Sequence, residues 1–451
     1  MELVIYDTLT RQKRRFDPLV PGQVSFYTCG VTVYDYCHIG HARVYVTTDT
    51  MRRVLLAAGY SVRYVQNFTD IDDKIINRAA EAGIEYHTLT QRFIDAYMED
   101  MGQLGISPAD CYPRATEYLP QMIEMIGSLV ASGHAYVSDT GDVWYSVDTF
   151  EGYGRLSRKK RDELIAGVRV DAMDGKRHPS DFVLWKSAKP GEPTWESPWG
   201  PGRPGWHIEC SAMARQELGE SIDIHAGGED LIFPHHENEI CQSEAVTHKP
   251  FVRYWVHNGF VTIDNEKMSK SLGNFFTIRD VLTQVSGQAL RFFLLRSHYR
   301  TPLHYSLDGV KEAKVGLDKL VNTVNLHRDS PEAFGAVLSS IEVLKNRFWQ
   351  AVSDDFNFSE AIGVLFDLSR MINTSEVSSG VLAELMGILG LESAALGESI
   401  TQEAEDLMKV RWDAKQNRDF GTADRLRIEL LERFQILVED TKTEYRWKKL
   451  T

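Results

Sequence analysis

The chain has 451 residues, of which 43% are hydrophobic and 25% charged, and its formal net charge is −14. This length predicts several domains, because single hydrophobic cores stop growing at about 250–300 residues. The acidic balance argues against a nonspecific nucleic-acid binder, although a local basic face for RNA remains compatible with it. No apolar run is long enough for a membrane span, five cysteines do not indicate a disulfide framework, and the start does not resemble a signal peptide. We therefore expect a cytoplasmic protein without a membrane partner.

The first 110 residues alternate between strand-like and helix-like patterns. A β-branched and aromatic run predicts a strand at 26–33, an amphipathic pattern predicts a helix at 42–59, and a second strand follows at 61–68. Strand, helix and strand at this spacing predict a parallel βαβ unit. Thr69 or Asp70 is expected to cap the helix that follows.

The composition and the predicted elements change at several later points in the chain. After residue 111, a helix is followed by short strands and loops rich in glycine and proline, which predicts an insertion into the α/β domain. A buried strand at 222–225 restores the α/β pattern, and a long helical region follows residue 308. The predicted organisation is a Rossmann-like parallel-sheet domain (first half 1–110, second half 206–250) interrupted by a connective domain (111–205), then a stem-contact region (251–310), a helical bundle (311–400) and a small C-terminal domain (401–451).

A short motif, His38-Ile39-Gly40-His41, lies where the first strand gives way to the first helix. A phosphate at a helix start meets free backbone N–H groups and the positive end of the helix dipole. The imidazoles of His38 and His41 can donate hydrogen bonds to phosphate oxygens, and Gly40 allows a nucleotide to approach the backbone. Taken alone, such a motif is more often an ordinary surface loop.

A second motif, Lys267-Met268-Ser269-Lys270-Ser271, lies more than two hundred residues later. The ammonium groups of Lys267 and Lys270 can neutralise charge that grows on a departing pyrophosphate. An exposed loop would also have this composition. Both motifs together, in this order and far apart, resemble the signature pair of class I aminoacyl-tRNA synthetases, named HIGH (residues 38–41) and KMSKS (residues 267–271) after their sequences.

Four residues form a candidate metal site: Cys29, Cys210, His235 and Glu239. Cys29 is expected to end the first strand, and a helix would place His235 and Glu239 on one face. Two thiolates, an imidazole and a carboxylate suit Zn²⁺. Buried cysteines with helix caps at the other two positions would fit the same spacing. In a regular helix, His236 would point away from such a metal and serve at most as outer support.

Longer strings carry a more specific resemblance, at 26–35, 67–74, 203–211, 233–239 and the KMSKS segment. They run in the order typical of bacterial-type cysteinyl-tRNA synthetases, and the chain resembles this family over nearly its whole length. The resemblance implies one Zn²⁺ per chain, held by Cys29, Cys210, His235 and Glu239 and bound to the thiolate of the substrate cysteine. Such a metal separates cysteine from serine, which shape alone does poorly.

The same resemblance assigns roles to further residues. Trp206 would line the amino-acid pocket, and Thr69 would lie near the substrate cysteine. Adenosine would be bound by a segment with two glycines and an acid: His225, Gly227, Gly228 and Asp230.

The implied activity is cysteine–tRNA ligation, in which Mg²⁺-ATP and L-cysteine give cysteinyl adenylate and the cysteinyl group passes to the terminal adenosine of tRNA(Cys). The C-terminal domain would bind the anticodon, with cations such as Arg411 and Lys415 beside aromatic residues. We expect a monomer. Two alternatives remain open: a paralogous ligase that joins cysteine to an amino sugar, and a non-catalytic protein that binds tRNA.

Overall fold

The structure of this protein is a computed structural model. It describes the residues 2–159, 175–263, 266–267, 276–391, 402–434, 436–440 and 445–449. The chain divides into two compact units: Met1–Lys314 with Arg347–Ile362 and Ile388–Gly390, and Val315–Asn346 with Gly363–Gly387 and Leu391–Thr451. Among the described residues, no helix combines the length and the apolar character that a membrane crossing needs.

A four-stranded, wholly parallel sheet forms the centre of the first unit. Its spatial order is β10, β9, β3, β4, with bounds Val252–Asn258 (β10), Ile222–Gly228 (β9), Gln23–Thr32 (β3) and Ser61–Thr69 (β4). The first two strands of the chain, Val4–Asp7 (β1) and Gln12–Arg15 (β2), form a separate antiparallel pair. Most residues of the four-stranded sheet are buried, as expected for parallel strands covered on both faces. The sheet confirms the predicted Rossmann-like α/β fold.

The helices around this sheet are Ile39–Ala57 (α1), Asp73–Ala82 (α2), Tyr86–Gln103 (α3), Leu119–Ala131 (α4), Trp206–Leu218 (α5) and Glu237–Thr247 (α6). Helix α1 joins β3 to β4, so the predicted βαβ unit is present. Helix α2 is capped by Asp72, whose side chain accepts a hydrogen bond from the Lys74 amide. The predicted cap at Thr69 or Asp70 is therefore wrong: Thr69 is still in β4, and Asp70 instead accepts two hydrogen bonds from Thr116.

The region between residues 111 and 205 carries a small antiparallel sheet. Its strands follow chain order, with bounds Ala135–Val137 (β5), Val143–Tyr145 (β6), Phe182–Ser187 (β7) and Gly202–Pro204 (β8). Trp185 and Tyr145 are fully buried in a core that these strands share with helix α4. The sequence predicted short strands here, and the glycine- and proline-rich stretch supplies β8.

Four short elements frame the KMSKS segment. They are Val261–Ile263 (β11), Glu266–Lys267 (β12), Leu303–His304 (β13) and Ile278–Leu282 (α7). Strand β11 pairs antiparallel with β12 and parallel with β13. Residues 268–271 of KMSKS, with Lys270 among them, lie outside the described residues, and Lys267 is described only in its backbone.

The remaining helices are Gly287–Leu295 (α8), Leu307–Leu326 (α9), Gly335–Ser353 (α10), Phe358–Ser375 (α11), Gly380–Ile388 (α12), Gln402–Gln416 (α13) and Phe420–Phe434 (α14). Two antiparallel strands close the chain, Ile436–Asp440 (β14) and Tyr445–Lys449 (β15). Ala404, Met408 and Leu430 pack with β14 to form a small core of their own. The helical region after residue 308 agrees with the sequence prediction.

Candidate active site

The HIGH segment forms the first turn of helix α1 and is organised by its own histidines. The backbone N–H of His41 donates to Nδ1 of His38 at 3.4 Å, and the N–H of His38 donates to Nδ1 of His41 at 3.2 Å. The two rings stack with centroids 3.8 Å apart. Because Nδ1 accepts in both rings, each neutral imidazole carries its proton on Nε2, where it can be donated to an anion.

The segment after KMSKS lies directly against the HIGH segment. The N–H of Ile278 donates to the Cys37 carbonyl at 2.9 Å, and the N–H of Ile39 donates to the Phe276 carbonyl at 3.3 Å. The described chain that follows the KMSKS segment, from Phe276 onward, is therefore hydrogen-bonded to the start of helix α1.

The four proposed metal ligands converge on one buried point. Their ligand atoms all lie within 4.8 Å of one another. The sulfurs of Cys29 and Cys210 are 3.8 Å apart, and Oε1 of Glu239 lies 3.6 Å from the Cys29 sulfur and 3.1 Å from Nε2 of His235. Strand β3, helix α5 and the region around the start of α6 each contribute, so the site exists only in the folded domain.

Cys29 lies inside β3 and does not end the strand as the sequence predicted. The strand continues to Thr32, and its register with β4 is irregular between Thr28 and Val31, so Cys29 falls at the irregular step. Asn67 of β4 contacts the backbone next to Cys29 and the side chain of Cys210. Its Oδ1 accepts from the Gly30 amide at 2.9 Å and from the Cys210 thiol at 3.7 Å.

The electrostatics of this cluster favour a bound cation. Burial raises the pKa of the Cys29 thiol well above its ordinary value, and Cys210 and Glu239 add to the rise. The Cys29 hydrogen bond lowers the pKa of Cys210, but burial and the charge of Glu239 outweigh it, so that pKa is also raised. Burial holds the pKa of His235 well below its usual range. The cluster thus retains thiol protons and a neutral imidazole until a cation is present, and its donor set fits Zn²⁺.

Two further histidines, His236 and His225, contact this cluster, and the sequence predicted neither contact. Nε2 of His236 lies 3.2 Å from the Cys29 sulfur, so His236 does not point away. The reason is that Ile232–His236 is not a regular α-helix: Phe233 is extended, with φ −140° and ψ 131°. His225 was expected to bind adenosine, but it is fully buried, and its Nε2 lies 2.9 Å from Oε2 of Glu239.

Trp206 contacts a proposed metal ligand, and Thr69 contacts the residue next to another, Cys210. The indole of Trp206 stacks on the ring of His235 with centroids 4.2 Å apart, and it keeps 38% of its surface exposed. Thr69 donates from Oγ1 to the buried carboxyl of Glu209 at 2.7 Å. Burial raises the pKa of Glu209 well above its ordinary value. Sequence reasoning did not single out Glu209, because nothing in its spacing marks it apart from its place beside Cys210.

The glycines after His225 are explained in part by packing. A Cβ on Gly227 would lie 2.8 Å from Cε1 of His236, so this glycine makes room for the histidine. A Cβ on Gly228 would lie 2.4 Å from Oδ1 of Asp230, an exposed side chain that can move. Asp230, by contrast, is exposed, so its carboxylate lies at the surface.

Comparison with protein families gives two matches. Residues 15–315 match the family described as tRNA synthetases class I (C) catalytic domain, and residues 347–398 match the DALR domain. A cysteine–tRNA ligase of Symbiobacterium thermophilum is 51% identical over 100% of both chains. Another, of Laribacter hongkongensis, is 50% identical over 99% of this chain and 100% of its own.

The chain belongs to the cysteine–tRNA ligase family of class I tRNA synthetases.

Solved structures of other class I synthetases share the fold of this cysteine–tRNA ligase family member. The methionyl-tRNA synthetase of Mycobacterium tuberculosis, in complex with methionyl-adenylate, gives a TM-score of 0.62 at 16% identity and covers 81% of this chain and 90% of its own. A leucyl-tRNA synthetase ternary complex from Agrobacterium radiobacter gives 0.58 at 12% identity and covers 84% of this chain and 87% of its own.

The basic residues of the C-terminal segment are not all available to RNA. Arg411 is buried and holds Asp440 with both terminal nitrogens, at 2.7 and 2.6 Å, while Lys415 contacts the same carboxylate at 2.5 Å. The hydrogen bond from Arg411 lowers the pKa of Asp440 to about 2. These two cations therefore tie helix α13 to strand β14, which gives them a structural role.

Proposed function

We propose that this protein is a cysteine–tRNA ligase that activates L-cysteine with Mg²⁺-ATP and transfers the cysteinyl group to the 3′-terminal adenosine of tRNA(Cys). The observation that carries the proposal is the buried cluster of Cys29, Cys210, His235 and Glu239, in a chain half identical to cysteine–tRNA ligases along its whole length. The two thiols favour Zn²⁺, and Zn²⁺ in turn favours a thiolate as a further ligand. Such a site therefore suits a substrate that is itself a thiol.

The cluster and the HIGH segment are parts of one site. Helix α1 begins with HIGH, and one turn later Tyr45 donates from its hydroxyl to the Cys29 carbonyl at 3.3 Å. A zinc ion bound by the four ligands would supply a direct contact to the substrate thiolate and exclude serine. Trp206 and Thr69 are proposed to line the amino-acid pocket beside it.

ATP is proposed to bind along the start of helix α1. His38 and His41 would donate from Nε2 to phosphate oxygens, and Gly40 would let the nucleotide approach the backbone. Asp230, Gly227 and Gly228 are proposed to line the adenosine side. His225, which is buried against Glu239, is assigned to the support of that ligand. Lys267 and Lys270 would stabilise charge on the departing pyrophosphate, so catalysis rests on positioning and electrostatics, without a protein nucleophile.

tRNA is proposed to contact the protein through its C-terminal part, with residues 401–451 at the anticodon. Arg418, Arg425 and Arg427 remain candidates for RNA contact after Arg411 and Lys415 are assigned to Asp440. We further propose that the enzyme works as a monomer in the cytoplasm, which sedimentation and cell fractionation test.

The deciding experiment is ATP–pyrophosphate exchange with cysteine and with serine, followed by charging of total tRNA. Cysteine-dependent exchange with charging of tRNA supports the proposal. Exchange with cysteine but no charging would indicate a ligase for a small acceptor such as an amino sugar. No exchange in a zinc-loaded protein would leave a non-catalytic tRNA-binding protein.

A further inference from the structure

Arg43 is a fully buried arginine two residues after the HIGH segment, and its partners are backbone carbonyls. Its Nη1 donates to Gly259 and Phe260, each at 2.9 Å. Its Nη2 donates to three carbonyls of one turn, those of His298 (3.2 Å), Tyr299 (3.3 Å) and Thr301. Burial lowers the pKa of Arg43 to about 10, so the group stays charged at neutral pH. A buried charge that binds five carbonyls fixes several segments at one point.

The first of these segments leads directly into KMSKS. Phe260 immediately precedes strand β11, and its carbonyl also accepts from the Leu303 amide at 2.9 Å. Thr262 in β11 pairs across the hairpin with Lys267. The far side of the same stretch is held by the contact of Ile278 with Cys37. Helix α1 and the residues before it therefore hold the KMSKS stretch at both ends, with Arg43 at the entry.

The second segment, residues 298–301, is fixed from its other side. The fully buried carboxylate of Asp355 accepts from the Tyr299 hydroxyl at 2.6 Å and from Nε of Arg300 at 2.8 Å. Gly259 packs tightly against this turn, because a Cβ there would lie 2.6 Å from the Arg300 carbonyl oxygen. The turn is thus a rigid support against which Arg43 holds the Gly259–Phe260 backbone.

We propose that Arg43 is a positioning residue for adenylate formation, which fixes the β11–β12 hairpin, with Lys267 at its end, relative to the HIGH segment. The inference rests on the proposed function, since it concerns the same site. The guanidinium is suited to this task because its planar fork reaches two segments at once. A lysine would keep the charge, but its three N–H donors share one nitrogen and cannot reproduce the five contacts that the two terminal nitrogens of Arg43 make.

The test is Arg43→Lys, measured as the single-turnover rate of cysteinyl-adenylate formation per active site at saturating ATP and cysteine. Active sites are counted by the amount of adenylate formed in the first turnover, with ATP and cysteine both in excess over the enzyme. We expect the rate to fall about 10- to 100-fold, as small displacements of reacting groups do. Zinc content and cysteine affinity should stay at wild-type values, because none of the carbonyls that Arg43 binds belongs to a proposed metal ligand.

Arg291→Lys is the matched control. Arg291 is also fully buried, donates to the carbonyls of Leu104, Gly105 and Leu389, and pairs with Asp49 at 2.5 Å. None of these partners belongs to the β11–β12 hairpin or to the turn at 298–301. We expect this variant to lower the melting temperature while its rate per active site stays unchanged.

Gly259→Ala provides a second variant, which pushes the same backbone away from the turn without removing a charge. It should show the same loss of rate at wild-type zinc content, and it decides the matter if Arg43→Lys does not fold. Wild-type rates per active site in Gly259→Ala, or equal rates in the two lysine variants, would overturn the inference. If the wild-type protein shows no cysteine-dependent adenylate, the proposed function fails and the inference fails with it.

Discussion

The indole of Trp206 lies flat on the imidazole of His235, with ring centroids 4.2 Å apart and planes 22° from parallel. One face of the tryptophan therefore holds a proposed metal ligand, while the side chain remains 38% exposed. The same residue can thus orient the ligand and face a small amino acid.

Replacing Trp206 should weaken cysteine binding more than metal binding. In Trp206→Ala we expect the KM for cysteine to rise about tenfold, which corresponds to loss of one aromatic contact of about 1.4 kcal/mol. The KM for ATP should not change. Trp206→Phe keeps a ring over His235 and should recover most of the affinity. ATP–pyrophosphate exchange at varied cysteine and, separately, at varied ATP gives the two KM values, and an equal rise in both would contradict a role in the amino-acid pocket.

Cys210→Ser should reduce zinc content and cysteine affinity together. A hydroxyl is a poor ligand for a soft cation. We therefore expect zinc affinity to fall by more than the roughly 10- to 100-fold that removal of an outer-shell partner costs. Metal analysis after dialysis gives the zinc content, and exchange kinetics give the cysteine affinity. Cys111→Ser is the control, because Cys111 lies outside the cluster. A full zinc complement in Cys210→Ser would refute its assignment as a ligand.

Lys270→Ala should slow adenylate formation about 100- to 1000-fold while cysteine binding stays nearly unchanged, because it removes a charge needed mainly in the transition state. The role is inferred from the sequence, as Lys270 lies outside the described residues. Pre-steady-state adenylate formation gives the rate, and calorimetry gives the cysteine affinity. Lys249→Ala removes an exposed lysine paired with Glu220 and should change neither quantity. Parallel loss of rate and of cysteine binding would argue for a general structural defect.

The Asp440 ion pair should make the C-terminal hairpin sensitive to acid. The pKa of Asp440 is lowered from 3.8 to about 2, so its contribution to stability is present above pH 4 and is lost as the pH falls towards 2. Asp440→Asn should cost about 1–2 kcal/mol at neutral pH, since one carboxylate serves Arg411 and Lys415. Hydrogen exchange of residues 436–440, corrected for the intrinsic exchange rate and followed from pH 6 down to pH 2, measures this. Asp424→Asn, at an exposed position, should have no effect, and an unchanged pH profile in Asp440→Asn would rule out the pair.

The sequence predicted those parts of the fold that depend on local pattern. The β-branched runs around Thr28 and Val65 and the helix between them specified a βαβ unit, because period and spacing determine such a unit. The four residues of the metal cluster were also recoverable from residue type, spacing and family resemblance, although a part of the reasoning was wrong: Cys29 does not end its strand.

What the sequence could not give are contacts that depend on irregular backbone or distant partners. The place of His236 follows from the extended Phe233, which breaks the helical period assumed for that segment. Arg411 was grouped with RNA-binding cations because its partner Asp440 is reached only through a later strand. The contacts of Arg43 could not be predicted from the sequence, because its partners are backbone carbonyls, which every residue possesses.

The separation of the metal ligands along the chain has a consequence for synthesis. Cys29 and Glu239 are 210 residues apart, and the parallel strands that bring them together must all be made first. At about 5–20 residues per second, the ribosome needs roughly 10–40 s to add the residues between them. During that time the nascent Cys29 thiol has no assembled site, so metal capture comes late in biogenesis and reports that strand β3, helix α5 and the start of helix α6 have come together.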